Sequence, residues 1–409
     1  MSSLDAELQQ RLAAIRASGL LRELRRVDSP QGPRIEIAGR TLTNFSSNDY
    51  LGLANHPTLK EAAIKAIEKF GAGAGASRLI CGSLAPFHEL ETTLAAFKGA
   101  EAALTFATGY AAALGTITAL LGPKDIIILD KRVHACLVDA AKLSGAKLRV
   151  FAHNDLNDLE DILKWAHQRE SAVSHQPSAM LVVTESVFSM DGDAAPLREM
   201  VALKEKYGAW LLVDEAHATG LYGANRRGVA EELGVSDRIE IQMGTLGKAL
   251  GASGGYICGR RALIDFLINR ARSFIFSTAP VPAAAAAAMA GIKLVQSDAG
   301  QKLVEQLWTR VAEFKSEIGN RKSKTTSAII PIILGDAATA VNAAQALRER
   351  GFFVPAIRYP TVARGAARLR VTVTSAHTTA QIHALSQALL ALSPHPLEFQ
   401  NVSRPACST

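Results

Sequence analysis

Ala209-Trp-Leu-Leu-Val-Asp214-Glu-Ala-His217 and Gly244-Thr-Leu-Gly-Lys248-Ala-Leu-Gly251 decide how this chain reads. In the first stretch a short apolar run ends on an acid, the pattern of a buried strand that delivers a polar residue at its tip. In the second, a lysine sits in a glycine-rich loop after 239–243, another candidate strand. Lys248 follows Asp214 by 34 residues, so two strand ends can point an amine and a carboxylate into one crevice. That pairing is what pyridoxal 5′-phosphate needs. A lysine amine forms the Schiff base, and a carboxylate keeps the pyridine nitrogen protonated so that the ring acts as an electron sink. Each residue alone has a plainer use, the acid as a helix cap and the lysine as a solvated loop charge.

Outward from this pair, helices and short apolar strands alternate from about 57 to 330, with strands expected at 102–106, 126–129, 148–151, 180–184, 210–213, 239–243 and 255–258. This alternation predicts an α/β fold, a mostly parallel sheet covered by helices on both faces. Leu4, Leu8, Leu12, Ile15, Leu20 and Leu24 predict an amphipathic helix over 4–26, and 35–42 a hairpin. Pro280 and Pro282 mark the start of an alanine-rich helix expected to run to about Ile318. The segments 328–334, 337–350, 368–374 and 379–392 then read as strand, helix, strand, helix, a smaller C-terminal α/β domain. The expected division is 1–56 for an N-terminal helix and hairpin, 57–295 for a large cofactor-binding domain, 296–393 for the small domain and 394–409 for a loose tail.

Composition narrows the class. Hydrophobic residues make up 48% and charged residues 20%, as in an ordinary globular enzyme. The net charge of +7 is spread along the chain without a basic block or aromatic-interleaved stripe, which argues against nucleic acid. Cys81, Cys136, Cys258 and Cys407 form no CxxC pair and read as free thiols of a reducing cytoplasm. The start, Met1-Ser-Ser-Leu-Asp-Ala-Glu-Leu8, has early acids and no apolar core, so no leader is expected there. The apolar run 279–292 is too short to span a bilayer.

Further candidates lie at other strand ends. The run Phe70-Gly-Ala-Gly-Ala-Gly-Ala-Ser77 follows an expected helix, not a strand, so it reads as a loop near the site and not as a dinucleotide fingerprint. Ala107-Thr-Gly109-Tyr110 turns from strand to helix, where backbone N–H groups favour an anion. Thr245, Ser277 and Thr278 offer hydroxyls for a phosphate. His134 is a cap, a core residue or a stacking partner for the pyridine ring; His217 lies close enough to Asp214 to reach the same ligand. Glu185 and Ser189 follow the 180–184 strand. Asp191 and Asp193 lack further ligands at metal spacing, and no metal is expected.

Four ordered motifs carry a family likeness over residues 20–393: Asn44-Phe-Ser-Ser-Asn-Asp-Tyr-Leu-Gly-Leu53, Thr184-Glu-Ser-Val-Phe-Ser-Met-Asp-Gly-Asp193, Val213-Asp-Glu-Ala-His-Ala-Thr-Gly220 and the Lys248 loop. With them the chain resembles the α-oxoamine synthases, pyridoxal-phosphate enzymes of fold type I. The resemblance implies a mostly parallel seven-stranded sheet in the large domain, and a homodimer whose active site is shared between subunits. It assigns Lys248 to the Schiff base, Asp214 to the pyridinium, His134 to the ring face and His217 to the phenolic oxygen. Gly109, Tyr110 and Thr245 fall on the phosphate side with Ser189 close by, while Ser277 or Thr278 reaches the neighbouring subunit's phosphate. It gives Arg358 the amino-acid carboxylate, places Thr361 in the substrate site, and adds Arg22 and Asn48 as substrate contacts.

The stretch Ala356-Ile-Arg358-Tyr-Pro-Thr361-Val-Ala363 is similar to the branch that joins L-alanine to pimeloyl-CoA or pimeloyl-carrier protein and releases carbon dioxide. Tyr359 and Ala363 depart from that branch's usual Ile-Arg-Pro-Pro-Thr-Val-Pro. Ser77-Arg-Leu-Ile-Cys-Gly82 leans instead towards relatives that use glycine and acetyl-CoA. An aminotransferase on the same fold and a catalytically silent cofactor-binding protein are the remaining alternatives.

Overall fold

The computed structural model describes residues 2–173, 178–319 and 327–392. The expected tail at 394–409 lies outside the described residues. The chain forms two compact units. The smaller holds residues up to Tyr50, Met190–Gly192 and the chain from Glu305 onward; the larger holds Leu51–Ser189 and Asp193–Val304.

The smaller unit opens with a helix, Ser3–Ala17, capped by Ser2 and Asp5 in a reciprocal capping box. It ends well before the expected residue 26. Gly19 takes a positive φ of 68°, and the N–H groups of Gly19 and Leu20 turn back to the carbonyls of Arg16 and Ile15. Leu20 and Leu24 continue the leucine spacing but lie outside the helix. An antiparallel hairpin follows, β1 (Arg34–Ile37) and β2 (Arg40–Asn44), burying Ile35, Ile37 and Leu42 against Phe353.

The larger unit is built on seven strands: β3 (Ala102–Phe106), β4 (Ile126–Asp130), β5 (Lys147–Phe151), β6 (Met180–Glu185), β7 (Trp210–Asp214), β8 (Ile241–Thr245) and β9 (Gly255–Gly259). Their order is β3-β9-β8-β7-β6-β4-β5. The run from β8 to β5 is parallel, and β9 is antiparallel to both of its neighbours. The mostly parallel α/β sheet expected from the sequence is present. Strands β3, β4 and β6 are buried at every residue, as continuous apolar strands covered on both faces must be.

The alanine-rich helix after Pro282 does not run unbroken to Ile318. It stops at Gln296, and a second helix spans Asp298–Glu317. Ser297 between them is extended, with φ −81° and ψ 170°, and its hydroxyl accepts from the Gly300 N–H. A local serine bond thus ends a helix that alanine propensity alone would continue. The smaller unit resumes with β10 (Ile329–Gly335), β11 (Phe352–Phe353), β12 (Ala356–Ile357) and β13 (Ala367–Thr372). β13 lies between β10 and β12, while β11 extends the hairpin through β2. Among the described residues no helix is long and apolar enough to cross a membrane.

Candidate active site

Four central strands of the larger unit end on polar residues: Asp130 on β4, Glu185 on β6, Asp214 on β7 and Thr245 on β8. Open parallel sheets bind ligands beyond these carboxyl ends. Asp214 is 5% exposed, and one of its oxygens accepts from the Ala216 N–H at 2.8 Å. Burial drives its carboxyl above the usual range, held back by the Lys248 ammonium and by that N–H. A buried acid of this kind gains most from a cationic ligand partner.

Lys248 lies on the tight loop after β8, where the Gly251 N–H donates to the Lys248 carbonyl. Gly251 has φ 67°, and a Cβ there would meet the Leu53 backbone at 2.6 Å, so glycine is required. Lys248 Nζ stands 2.8 Å from His217 Nε2. The turn carrying Asp214 and His217 is anchored by Glu215, which accepts from buried Lys98 at 2.5 Å and from the Ala230 N–H at 2.9 Å.

His134 caps the helix Ala135–Ser144, and its Nδ1 accepts from the Cys136 N–H at 3.2 Å. That bond leaves the proton on Nε2. Burial holds the imidazole below its ordinary pKa, against the pull of Asp214, so His134 is a neutral Nε2–H donor.

The helix Gly109–Leu120 presents its N-terminus at the end of β8. A Cβ on Gly109 would stand 2.6 Å from Thr245 Cγ2, so glycine keeps this corner open. Thr108 caps the helix by accepting from Ala111 N–H at 3.0 Å, and the Tyr110 hydroxyl donates to Asp139 at 2.8 Å. Thr245 Oγ1 is buried and lacks a hydrogen-bond partner among the described residues. A helix N-terminus, a glycine-cleared approach and an orphaned hydroxyl suit an anion. The crevice suits a ligand with an anion at one end and a cationic group at the other.

The remaining cofactor candidates also belong to the larger unit. Buried Ser189 donates its N–H to Glu185 at 3.2 Å. Ser277 is half-buried and Thr278 exposed, on a segment that bridges Ser77. The substrate candidates belong to the smaller unit. Arg22, Arg358 and Thr361 line a cavity of about 450 Å³ together with Arg25, Arg348 and an apolar wall that includes Phe353. Arg358 donates to the Leu21 carbonyl at 2.7 Å, and its buried Nε has no partner among the described residues. Arg22 is exposed and reaches the Tyr359 carbonyl at 3.3 Å. Asn48 is not in the cavity wall; its Oδ1 accepts from Arg370 at 3.1 Å. Sequence reasoning missed Arg25 and Arg348, which no local motif marks.

Asp191 and Asp193 have other work. Asp191 pairs with Arg368 at 2.5 Å, and Asp193 pairs with His153 at 2.7 Å.

Residues 40–389 match the model of the aminotransferase class I and II family. The chain is 47% identical to an 8-amino-7-oxononanoate synthase of Anaeromyxobacter dehalogenans over 384 residues, 94% of each chain. A Thermoanaerobacter pseudethanolicus protein of the same name is 43% identical, covering 93% of this chain and 95% of that one. Among solved structures, a serine palmitoyltransferase from S. paucimobilis with a bound PLP–myriocin aldimine superposes with a TM-score of 0.87 at 31% identity, over 96% of this chain and 98% of that one. An 8-amino-7-oxononanoate synthase from Francisella tularensis gives 0.71 at 29% identity, over 86% and 96%.

Proposed function

Since the chain belongs to the α-oxoamine synthases of the aminotransferase class I and II family, we propose that it condenses L-alanine with a pimeloyl thioester, releasing carbon dioxide and the thiol to leave 8-amino-7-oxononanoate. It is a pyridoxal-phosphate-dependent acyltransferase of fold type I. The observation that carries the reading is the crevice that unites Lys248, His217 and Asp214 with the orphaned Thr245 hydroxyl above Gly109. Pyridoxal phosphate, when bound, supplies an electron sink for cleavage of the Cα–H and Cα–carboxylate bonds.

The chain's own residues do the rest. Asp214 would hold the pyridine nitrogen protonated, and the opposite charge there would keep its own carboxyl ionised despite burial. Thr245, Ser189, Tyr110 and the N–H groups around Gly109 would hold the phosphate side. Lys248 would anchor the cofactor through its amine, and that amine, when free, would hold or move the proton at the substrate Cα. His217 orients the Lys248 amine at 2.8 Å and would contact the phenolic oxygen. Neutral His134 would pack on the ring and offer its Nε2–H to developing negative charge. Arg358, with an unpartnered buried Nε, would bind the alanine carboxylate; Thr361, Arg22 and Asn48 are the further substrate contacts.

The working enzyme is a cytoplasmic homodimer in which Ser277 or Thr278 completes the phosphate site of the neighbouring subunit. Support comes from the partly exposed position of these residues and from the free thiols of Cys81, Cys136 and Cys258.

A thiol-release panel tests the reading: alanine, glycine and serine, each with acetyl-, succinyl-, pimeloyl- and palmitoyl-CoA. Alanine with the pimeloyl thioester is expected to turn over fastest. A higher kcat/KM for glycine with acetyl-CoA, or serine with palmitoyl-CoA, overturns the substrate assignment.

A further inference from the structure

Glu185 is a buried carboxylate with no part in the proposed reaction. It ends β6, is 2% exposed, and stands in register beside Asp214 on β7. Its Oε1 accepts from the His134 N–H at 2.5 Å, and its Oε2 accepts from the Ser189 N–H at 3.2 Å. Both partners belong to the cofactor set, and they lie on opposite sides of Glu185 in sequence, at 51 and 4 residues' distance.

We propose that Glu185 is a positioning residue for this reaction: its two oxygens clamp the backbones of His134 and Ser189, fixing the imidazole and the hydroxyl relative to Asp214. The inference rests on the Lys248–Asp214 crevice being the cofactor site. The chemical reason for a glutamate is that both partners are donors. Only an ionised carboxylate turns an acceptor to each; an amide, or a protonated acid, faces one of them with a hydrogen. Burying that charge beside a second carboxylate is unfavourable, and a residue serving only to fill the core would not need it. Burial, with Asp214 adding to it, pushes the Glu185 carboxyl up to about 8, while Lys248 and the two N–H donors pull it down. A cationic ring held by Asp214 favours the ionised form of both acids. Cofactor binding therefore tightens the clamp on the residues that surround the cofactor.

The test is Glu185→Gln in the full-length protein, loaded with pyridoxal phosphate. The Kd for the cofactor is expected to rise about tenfold, and kcat to fall about tenfold or more while KM for alanine and thioester stays within about threefold. The pH midpoint of the cofactor's visible band should move as well, since the groups facing Glu185 are Asp214, Lys248, His134 and Ser189. A purely structural glutamate would lower Tm and leave Kd and midpoint alone. Glu185→Asp keeps both acceptors on a shorter reach and should fall between wild type and Glu185→Gln. Kd and midpoint unchanged in Glu185→Gln overturn the proposal. If that variant does not fold, the same criterion applies to Glu185→Asp, and failure of both to fold makes Glu185 a core residue and overturns it too. A wild-type protein that binds no pyridoxal phosphate breaks the site reading itself, a result separate from a binding wild type that Glu185→Gln merely equals.

Discussion

Asp214 and Arg358 are both charged residues proposed to hold a ligand, yet they are held by opposite means. Asp214 is 5% exposed at the tip of a central strand, with an N–H bond to one oxygen. Arg358 is half-buried on a loop of the other unit, tied by one bond to the Leu21 carbonyl. The same contrast runs through their neighbours. Thr245 ends a strand of one sheet and Lys248 and His217 follow strand ends of it, whereas Arg22 and Thr361 are exposed on irregular chain. A sheet holds chemical groups rigidly, whereas loops can carry the part that varies with the substrate. Damage to the crevice should therefore appear in kcat and cofactor binding, and damage to the cavity in KM.

Lys248→Ala is the largest expected loss. Turnover should drop by about 10³-fold or more, since the proposed anchoring amine and the proposed base both disappear, and the visible band of a lysine-bound cofactor should vanish. Persistence of that band removes Lys248 from its role. Asp214→Asn follows, with kcat down by about 10²-fold to 10³-fold, because an amide cannot hold the ring nitrogen charged. If steady-state kinetics show the loss mainly in the KM for alanine, the division between crevice and cavity is broken.

A third expectation concerns the sheet beneath the crevice. His153 is held between Asp130 at 2.9 Å and Asp193 at 2.7 Å. Burial opposes its charge, but the hydrogen bonds and charges of the two carboxylates outweigh it and raise the imidazole from 6.5 to about 9. The folded pKa lies above the unfolded one, so the stabilisation is full below pH 6.5 and is lost as the pH rises through about 9. Urea unfolding should show about 2–3 kcal/mol of stability disappearing across that window. Glu185, with its raised carboxyl, tilts stability the same way. The difference between wild type and His153→Gln isolates the histidine, and parallel curves for the two would refute its charge.

Much of the crevice was legible because its signals are local. An acid ending an apolar run, a lysine among glycines and a glycine opening a helix each declare themselves within a few residues. What stayed hidden depends on strand order or on a single backbone bond. Glu185 was visible at its strand end, but its hold on His134 exists only because β6 lies beside β4. The leucine spacing ran on through Leu24 although Gly19 had already ended the helix, and the alanine run concealed the break at Ser297. Arg25 and Arg348 meet in one cavity wall from positions more than 300 residues apart, so no motif could join them.

The cavity gives the smallest effects and the sharpest ranking. Arg358 has a buried Nε without a partner among the described residues, so a bound carboxylate would supply the missing acceptor. Arg358→Lys keeps the charge but loses the planar fork that a carboxylate can engage at two points. The expected result is a KM for alanine raised by about tenfold to thirtyfold, with kcat changed by less than about threefold. Arg22 is exposed and makes a single long bond to the Tyr359 carbonyl at 3.3 Å. Water replaces such a contact readily, so Arg22→Ala should raise the same KM by no more than about threefold. Both variants are read in one titration of alanine at saturating thioester. If Arg22→Ala proves the more damaging, exposure is a poor guide to this cavity, and the carboxylate is held at its open edge and not at the buried guanidinium.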